Sequence, residues 1–362
     1  MKTQRLRYYI LGVTFVLAAL LSLPGCHKVE NWDNDLYGNF DALWTILDEH
    51  YCFFEDKDVD WDAVRTHYRS QLKPGMDYNE FFDVCSAMLD ELRDGHTNLI
   101  SWFDVSYYRQ WWTDYPQNFN LRIVQQYYLN FDYHSSGGMI WGKLPDCNVG
   151  YLYYSSFSSP VSSSFIDNMM LSLKDCDGLI IDVRDNGGGD IDNVRKLVGH
   201  FISERISGGY IRHKTGPGHS DFSEPYEFFI DTAEGHVRWL KYVVVLANRS
   251  TFSAANNFVS VMKPLPHVLV AGDTTGGGSG MPFSSELPCG WSVRFSACPV
   301  YDADMNLTEY GVEPSEGCKV DMDAQAALRG HDTIIDFAVL AITTAAEEHG
   351  RFVAPQSTGF EH

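Results

Sequence analysis

Four segments of this chain carry residue types that covalent chemistry could use. The first is Tyr242-Val-Val-Val-Leu-Ala247-Asn248-Arg249-Ser250-Thr251-Phe252-Ser253-Ala254-Ala255. An apolar strand runs through a short turn into a helix that Ser253 begins. A serine there can be a simple helix cap, but a helix start also favours the negative charge that develops on an attacking hydroxyl. The second is Asp94-Gly95-His96-Thr97-Asn98-Leu99, directly after a helical stretch. Histidine titrates near pH 6.5 and can take a serine's proton, although a lone histidine is more often structural. The third, Gly178-Leu-Ile-Ile-Asp182-Val-Arg184-Asp185-Asn186-Gly187-Gly188-Gly189-Asp190, takes a buried strand into three glycines and a helix. Glycines permit a sharp turn and close approach to backbone N–H groups, and amides at a helix start can hold an anion. The Lys-Ser/Thr ending of a phosphate loop and the spacing of a dinucleotide fingerprint are both absent. The fourth, Glu309-Tyr310-Gly311-Val312-Glu313-Pro314, is on its own a turn-rich loop.

The elements that must position these segments fall into two patterns. Phe40, Leu43, Trp44 and Leu47 recur at three- and four-residue steps, and Trp61–Leu72 and Tyr78–Leu92 read as further helices. Residues 36–93 are therefore expected to form a small N-terminal helical domain. Residues 94–148 hold the histidine turn and an aromatic-rich connection (102–133), read as packing between domains or a lid rather than a substrate platform. From 149 to 350 short apolar strands alternate with helices. Gly150–Tyr154, Gly178–Val183, Tyr242–Ala247 and His267–Ala271 read as buried strands, and Phe165–Leu173, Ile191–Ile202 and Ala254–Met262 as helices. The alternation argues an α/β (α+β) domain. Residues 206–235 read as one long connection, and a last helix is expected from an Asp332 cap to about Glu348.

In order and spacing, the four segments together resemble the tail-specific (C-terminal processing) protease family. Its landmarks are the Asp-x-Arg-x-Asn-Gly-Gly-Gly run, the helix start at Ser253 and the Gly-His-Thr turn. The resemblance covers roughly 36–325 and implies a crotonase/Clp-like core of strand-strand-helix units. One branch of the family uses a lysine base in a Thr-x-Gly-Lys-Gly loop. The matching stretch here is Thr274-Thr275-Gly276-Gly277-Gly278-Ser279-Gly280, with Gly278 at the lysine's place. The branch like the tricorn protease core uses a Gly-His turn and a late glutamate, which His96 and Glu309 match, although Gly95 stands where that core has a serine. The resemblance thus implies a serine endopeptidase in which His96 activates Ser253 and Glu309 orients or charge-stabilises the network. The amides of Gly187 or Gly188 and of Ala254 would hold the oxyanion, each worth about 3–4 kcal/mol of the barrier. Activity is expected to rise through a histidine titration between about pH 6 and 7. Only about 50 residues separate His96 from Gly150, too few for the peptide-binding PDZ module of many family members. The alternatives are a non-catalytic binding protein for apolar ligands or peptides on the same fold, and a thioester enzyme, for which no nucleotide-recognising cofactor site is visible.

Whole-chain properties set the context. The formal net charge of −21 disfavours a nucleic-acid partner, and no cofactor or metal site is read; the expected partner is a peptide or unfolded protein. Lys2, Arg5 and Arg7 precede an apolar run, Ile10–Leu23, that ends in Leu23-Pro24-Gly25-Cys26. This resembles a bacterial lipoprotein leader (1–26) with Cys26 as the lipidated residue, followed by a polar tether (27–35) and closed by a tail (351–362). The expected location is the bacterial cell envelope, anchored to a membrane at Cys26. Of the remaining cysteines, Cys289 and Cys298 flank a strand-like segment and could bridge in an oxidising compartment.

Overall fold

The computed structural model describes residues 32–348, so Cys26, the leader and the tail lie outside the described residues. Three helices open the fold: α1 (Leu36–His50), α2 (Trp61–Arg69) and α3 (Tyr78–Asp90), with a single helical turn Phe54–Lys57 between the first two. Each begins at an aspartate whose carboxylate accepts amides of the first turn: Asp35, Asp60 and Asp77, the last in a full capping box with Glu80. The turn after α3 leads into β1 (Asn98–Ile100).

The rest of the chain builds two sheets. In chain order come β2 (His134–Ser136), β3 (Met139–Lys143), β4 (Val149–Tyr154), α4 (Ser163–Ser172), β5 (Gly178–Asp182), α5 (Ile191–Gly199), β6 (Ile206–Ile211) and β7 (Tyr226–Ile230). Then follow β8 (Tyr242–Ala247), α6 (Ala254–Met262), β9 (Val268–Gly272), β10 (Gly280–Glu286), β11 (Ser292–Tyr301) and α7 (Thr333–Glu348). The larger sheet has the order β2-β3-β4-β5-β8-β9, parallel from β4 onward. Its strands alternate between two cores. Leu152, Ile181 and Val245 face α4, α5 and α6, whereas Tyr151, Ile180 and Val244 face α7. Helices on both faces explain why these strands read as continuous apolar runs.

The smaller sheet is centred on β11, which pairs along one edge with β10 and along the other with β1 and then β6. Its inner residues Val293, Phe295 and Ala297 share one core with Phe40, Leu43 and Leu47 of α1 and with Phe81 and Phe82 of α3. The helices of 36–93 therefore pack against this sheet. Two expectations are corrected. Residues 206–235 contain the antiparallel hairpin β6–β7, masked in the sequence by Gly208 and Gly209 at a bulge and by a half-exposed second strand. Cys289 and Cys298 are both free: one lies in the β10–β11 turn and the other is paired with Met281 far along the strand, and an extended segment of that length holds their Cα atoms well beyond bonding range. In the aromatic segment Trp102 and Phe103 lie against Trp291 and Phe119 lies under Arg184, whereas Tyr107, Tyr127 and Phe131 are exposed.

Candidate active site

Ser253 stands between β8 and α6 with φ 57° and ψ −121°, a left-handed backbone that costs a non-glycine residue about 1–3 kcal/mol. Its hydroxyl caps nothing in the helix; Oγ instead lies 3.0 Å from His96 Nε2 across 157 residues of sequence. The backbone is held on both sides of the strain. Phe252 N–H donates to Asn186 O at 3.0 Å, and Ser253 N–H donates to Gly277 O at 2.8 Å.

His96 is nearly excluded from solvent. Its amide donates to Asp94 Oδ1 at 2.7 Å, and its ring leans on Phe252, which stacks on Trp111 with ring centroids 4.2 Å apart. Burial drives its pKa down to about 4. The Asp94 carboxylate opposes this, and the charges of Arg294 and Lys57 add to it. The expectation of a limb at pH 6–7 thus meets an imidazole that loses its proton at lower pH. Among the described residues its Nδ1 has no hydrogen-bond partner.

Glu309 is buried and does not bond to His96. Its Oε1 accepts from Lys57 Nζ at 2.9 Å and its Oε2 from Ser279 N–H at 2.8 Å. Burial pushes its carboxyl up to about 7, against the pull of Lys57 and with a further push from Asp94. Burial likewise opposes the charge on Lys57, but Asp94 and Glu309 outweigh it and raise its pKa. Asp94 lies 3.8 Å from Lys57 through Oδ2. Burial would raise its carboxyl, yet Lys57 and His96 hold it below its ordinary value.

The glycine run lies against the nucleophile. Gly188 has φ +96°, and a Cβ there would come within 2.8 Å of Ser253 Cβ and of the Ala254 amide nitrogen, so only glycine fits. The Gly188 amide donates inside its own loop, to Asn186 Oδ1 at 2.9 Å. The amides of Gly187 and Ala254 meet no acceptor among the described residues. Upstream, Asp182 and Arg184 are not part of the cleft. The fully buried Arg184 forks onto Asp182, with bonds of 2.9 and 2.6 Å, and reaches Asp332 at the start of α7. Gly278 has φ +76°, and its Cβ would lie 2.4 Å from the Phe252 ring, so the place of a lysine base is filled by an aromatic wall. Gly95 is similarly closed, since a Cβ there would lie 2.7 Å from Trp111 Nε1.

Ser253 opens on two spaces. One, of about 380 Å³, is polar and contains His96, Ser156, Ser158, the glycine run and Arg294. The other, of about 440 Å³, is lined largely by apolar side chains including Ile211, Tyr226, Phe228, Met281 and Val300. The residues that sequence reasoning missed are Asp94, Lys57, Arg294 and the Phe252–Trp111 wall. Asp94 was within reach, two positions before the histidine. Lys57 gave no signal, because it lies in a polar helical turn 252 residues from its partner Glu309.

The chain matches Peptidase family S41 over residues 148–316 and the Tricorn protease C1 domain over residues 33–90. A crystal structure from Parabacteroides merdae, assigned there as a peptidase, is 48% identical with a TM-score of 0.82 and covers 87% of this chain and 99% of its own. Mature CPAF shares the fold at 12% identity, with a TM-score of 0.70 over 88% of this chain and 99% of its own. Carboxy-terminal processing protease CtpA of Bacillus subtilis is 24% identical over 48% of this chain. That match spans 36% of the relative's length.

Proposed function

Since the chain belongs to peptidase family S41, we propose that it is a serine endopeptidase working through an acyl-enzyme on Ser253. His96 Nε2 removes the Ser253 proton as Oγ attacks the peptide carbonyl. The oxyanion that forms accepts from the free amides of Gly187 and Ala254. His96 then returns the proton to the leaving amine, and water repeats the sequence to release the acid. Glu309 supports the site at one remove, through the loop that holds Ser253. A histidine base with a late glutamate favours the tricorn-like branch. The observation that carries the reading is the 3.0 Å approach of His96 Nε2 to a hydroxyl on a strained backbone, because strain of this kind persists where the surroundings over-determine it.

The apolar space beside Ser253 suits a peptide with an apolar side chain next to the scissile bond, supplied by an exported protein reached from a Cys26 anchor. The same space is what a non-catalytic binding role would rest on. Fluorophosphonate labelling of fractionated cells, coupled to cleavage of casein by the purified protein, separates the two. The expected result is a label on Ser253 in the membrane fraction, with both label and cleavage lost in Ser253→Ala. Residual turnover in Ser253→Ala, or an unlabelled wild type, would sink the assignment. A label confined to the soluble fraction would overturn the anchor alone.

A further inference from the structure

Lys57 has no hydrogen bond to Ser253 or His96, yet it ties the two halves of the site together. Its side chain is 6% exposed. Nζ donates to Arg93 O at 3.2 Å and to Glu309 Oε1 at 2.9 Å, and it lies 3.8 Å from Asp94 Oδ2. On one side the path runs to the base: Asp94 Oδ1 takes the His96 amide at 2.7 Å. On the other it runs to the nucleophile. Glu309 Oε2 takes the Ser279 amide at 2.8 Å, Glu309 O takes the Gly278 amide at 3.2 Å, and Gly277 O takes the Ser253 amide at 2.8 Å. A second clasp reinforces the first, since Tyr310 Oη donates to Asp56 O at 2.7 Å from the same helical turn.

We propose that Lys57 is a positioning residue of the reaction: one cation, delivered by the N-terminal helical segment, sets the His96 turn and the Ser253 loop in register. This rests on the reading of Ser253 as nucleophile and His96 as base. Lys57 is not itself the base, because two carboxylates keep it protonated and it makes no contact with Ser253. Neighbouring cations disfavour the imidazolium and carboxylates favour it. The charged groups that act on His96 are Asp94, Arg294 and Lys57. Removing Lys57 takes away a cation and leaves Asp94 unbalanced, so His96 must hold its proton to higher pH.

The test uses the purified full chain as wild type, Lys57→Met, Lys57→Arg, Glu309→Gln and Lys57→Met/Glu309→Gln. Active sites are counted by fluorophosphonate titration, and kcat and KM on a fluorescent peptide are followed across pH. Lys57→Met is expected to lose about tenfold or more in kcat per titrated site, because misplacement of a base relative to its nucleophile is costly, with KM little changed. Its acid limb should move up by about one unit or more, and Lys57→Arg should recover most of the rate. A purely structural role would lower the number of titrated sites and leave the per-site kcat and the limb in place, which would overturn the proposal. If Lys57→Met does not fold, the double variant carries the same test when read against Glu309→Gln alone, since the two differ only in Lys57 and the double variant avoids an unpaired buried carboxylate. A wild type that cleaves without labelling at Ser253 would overturn the reading of the site itself; a labelled wild type with an unaffected Lys57→Met overturns only the role of Lys57.

Discussion

His96 is proposed as a base in a place that penalises its charged form. The neutral imidazole that can accept a proton is present above its pKa of about 4 and is lost below it. Glu309 is ionised above about 7 and neutral below. The wild-type kcat/KM profile should therefore keep substantial activity at pH 5 and fall along a limb near pH 4. A smaller step near pH 7 should vanish in Glu309→Gln. Stopped-time assays from pH 3.5 to 9 on both proteins decide this, and a single limb at pH 6–7 that survives Glu309→Gln would refute it. At this scale the sequence was legible where a residue stands inside a contiguous pattern, as Ser253 and His96 do. It was not legible where partners are chosen by tertiary approach. Glu309 was picked out as a carboxylate for the network, but nothing near it in sequence says that a lysine from the helical segment would take its Oε1, or that its other oxygen would hold Ser279.

Among the elements, the segment from Asp182 to Gly189 divides into two tasks that its sequence does not separate. The glycines face the nucleophile, whereas Asp182 and Arg184 bolt the end of β5 to α7. Arg184 is fully buried, bonds to Asp182, Asp332 and Asn118 O, and lies 4.7 Å over the Phe119 ring. Removing one member of a buried ion cluster leaves its partners uncompensated, at a cost of about 3–5 kcal/mol. Arg184→Met should lower unfolding stability by that amount in urea titration, even though the side chain never meets substrate. A loss under about 1 kcal/mol would show that the cluster is solvated in solution. The strands of the larger sheet and α6 were readable from apolar runs because both faces are covered. The β6–β7 hairpin was not, since its strands pair at a glycine bulge and keep an exposed face.

For the molecule as a whole, the helices α1–α3 complete a core that would otherwise be open. Phe295 and Val293 of β11 lie against them, so a chain beginning at residue 94 exposes that sheet face to water. Such a fragment (94–348) should lack a cooperative thermal transition and should associate, as read by circular dichroism and size-exclusion chromatography. A monomeric fragment with a sharp melt would show that the two cores fold independently. The pairing of Lys57 with Glu309, 252 residues apart, also bears on timing. A chain emerging from the ribosome presents its histidine first, its serine much later and the glutamate last of all. On the proposed reading, an unfinished chain that ends before Glu309 has its nucleophile and its base but lacks the clasp that sets their two loops in register. The register of the site is thus completed by the last of its residues to be made, and by one of the first, Lys57.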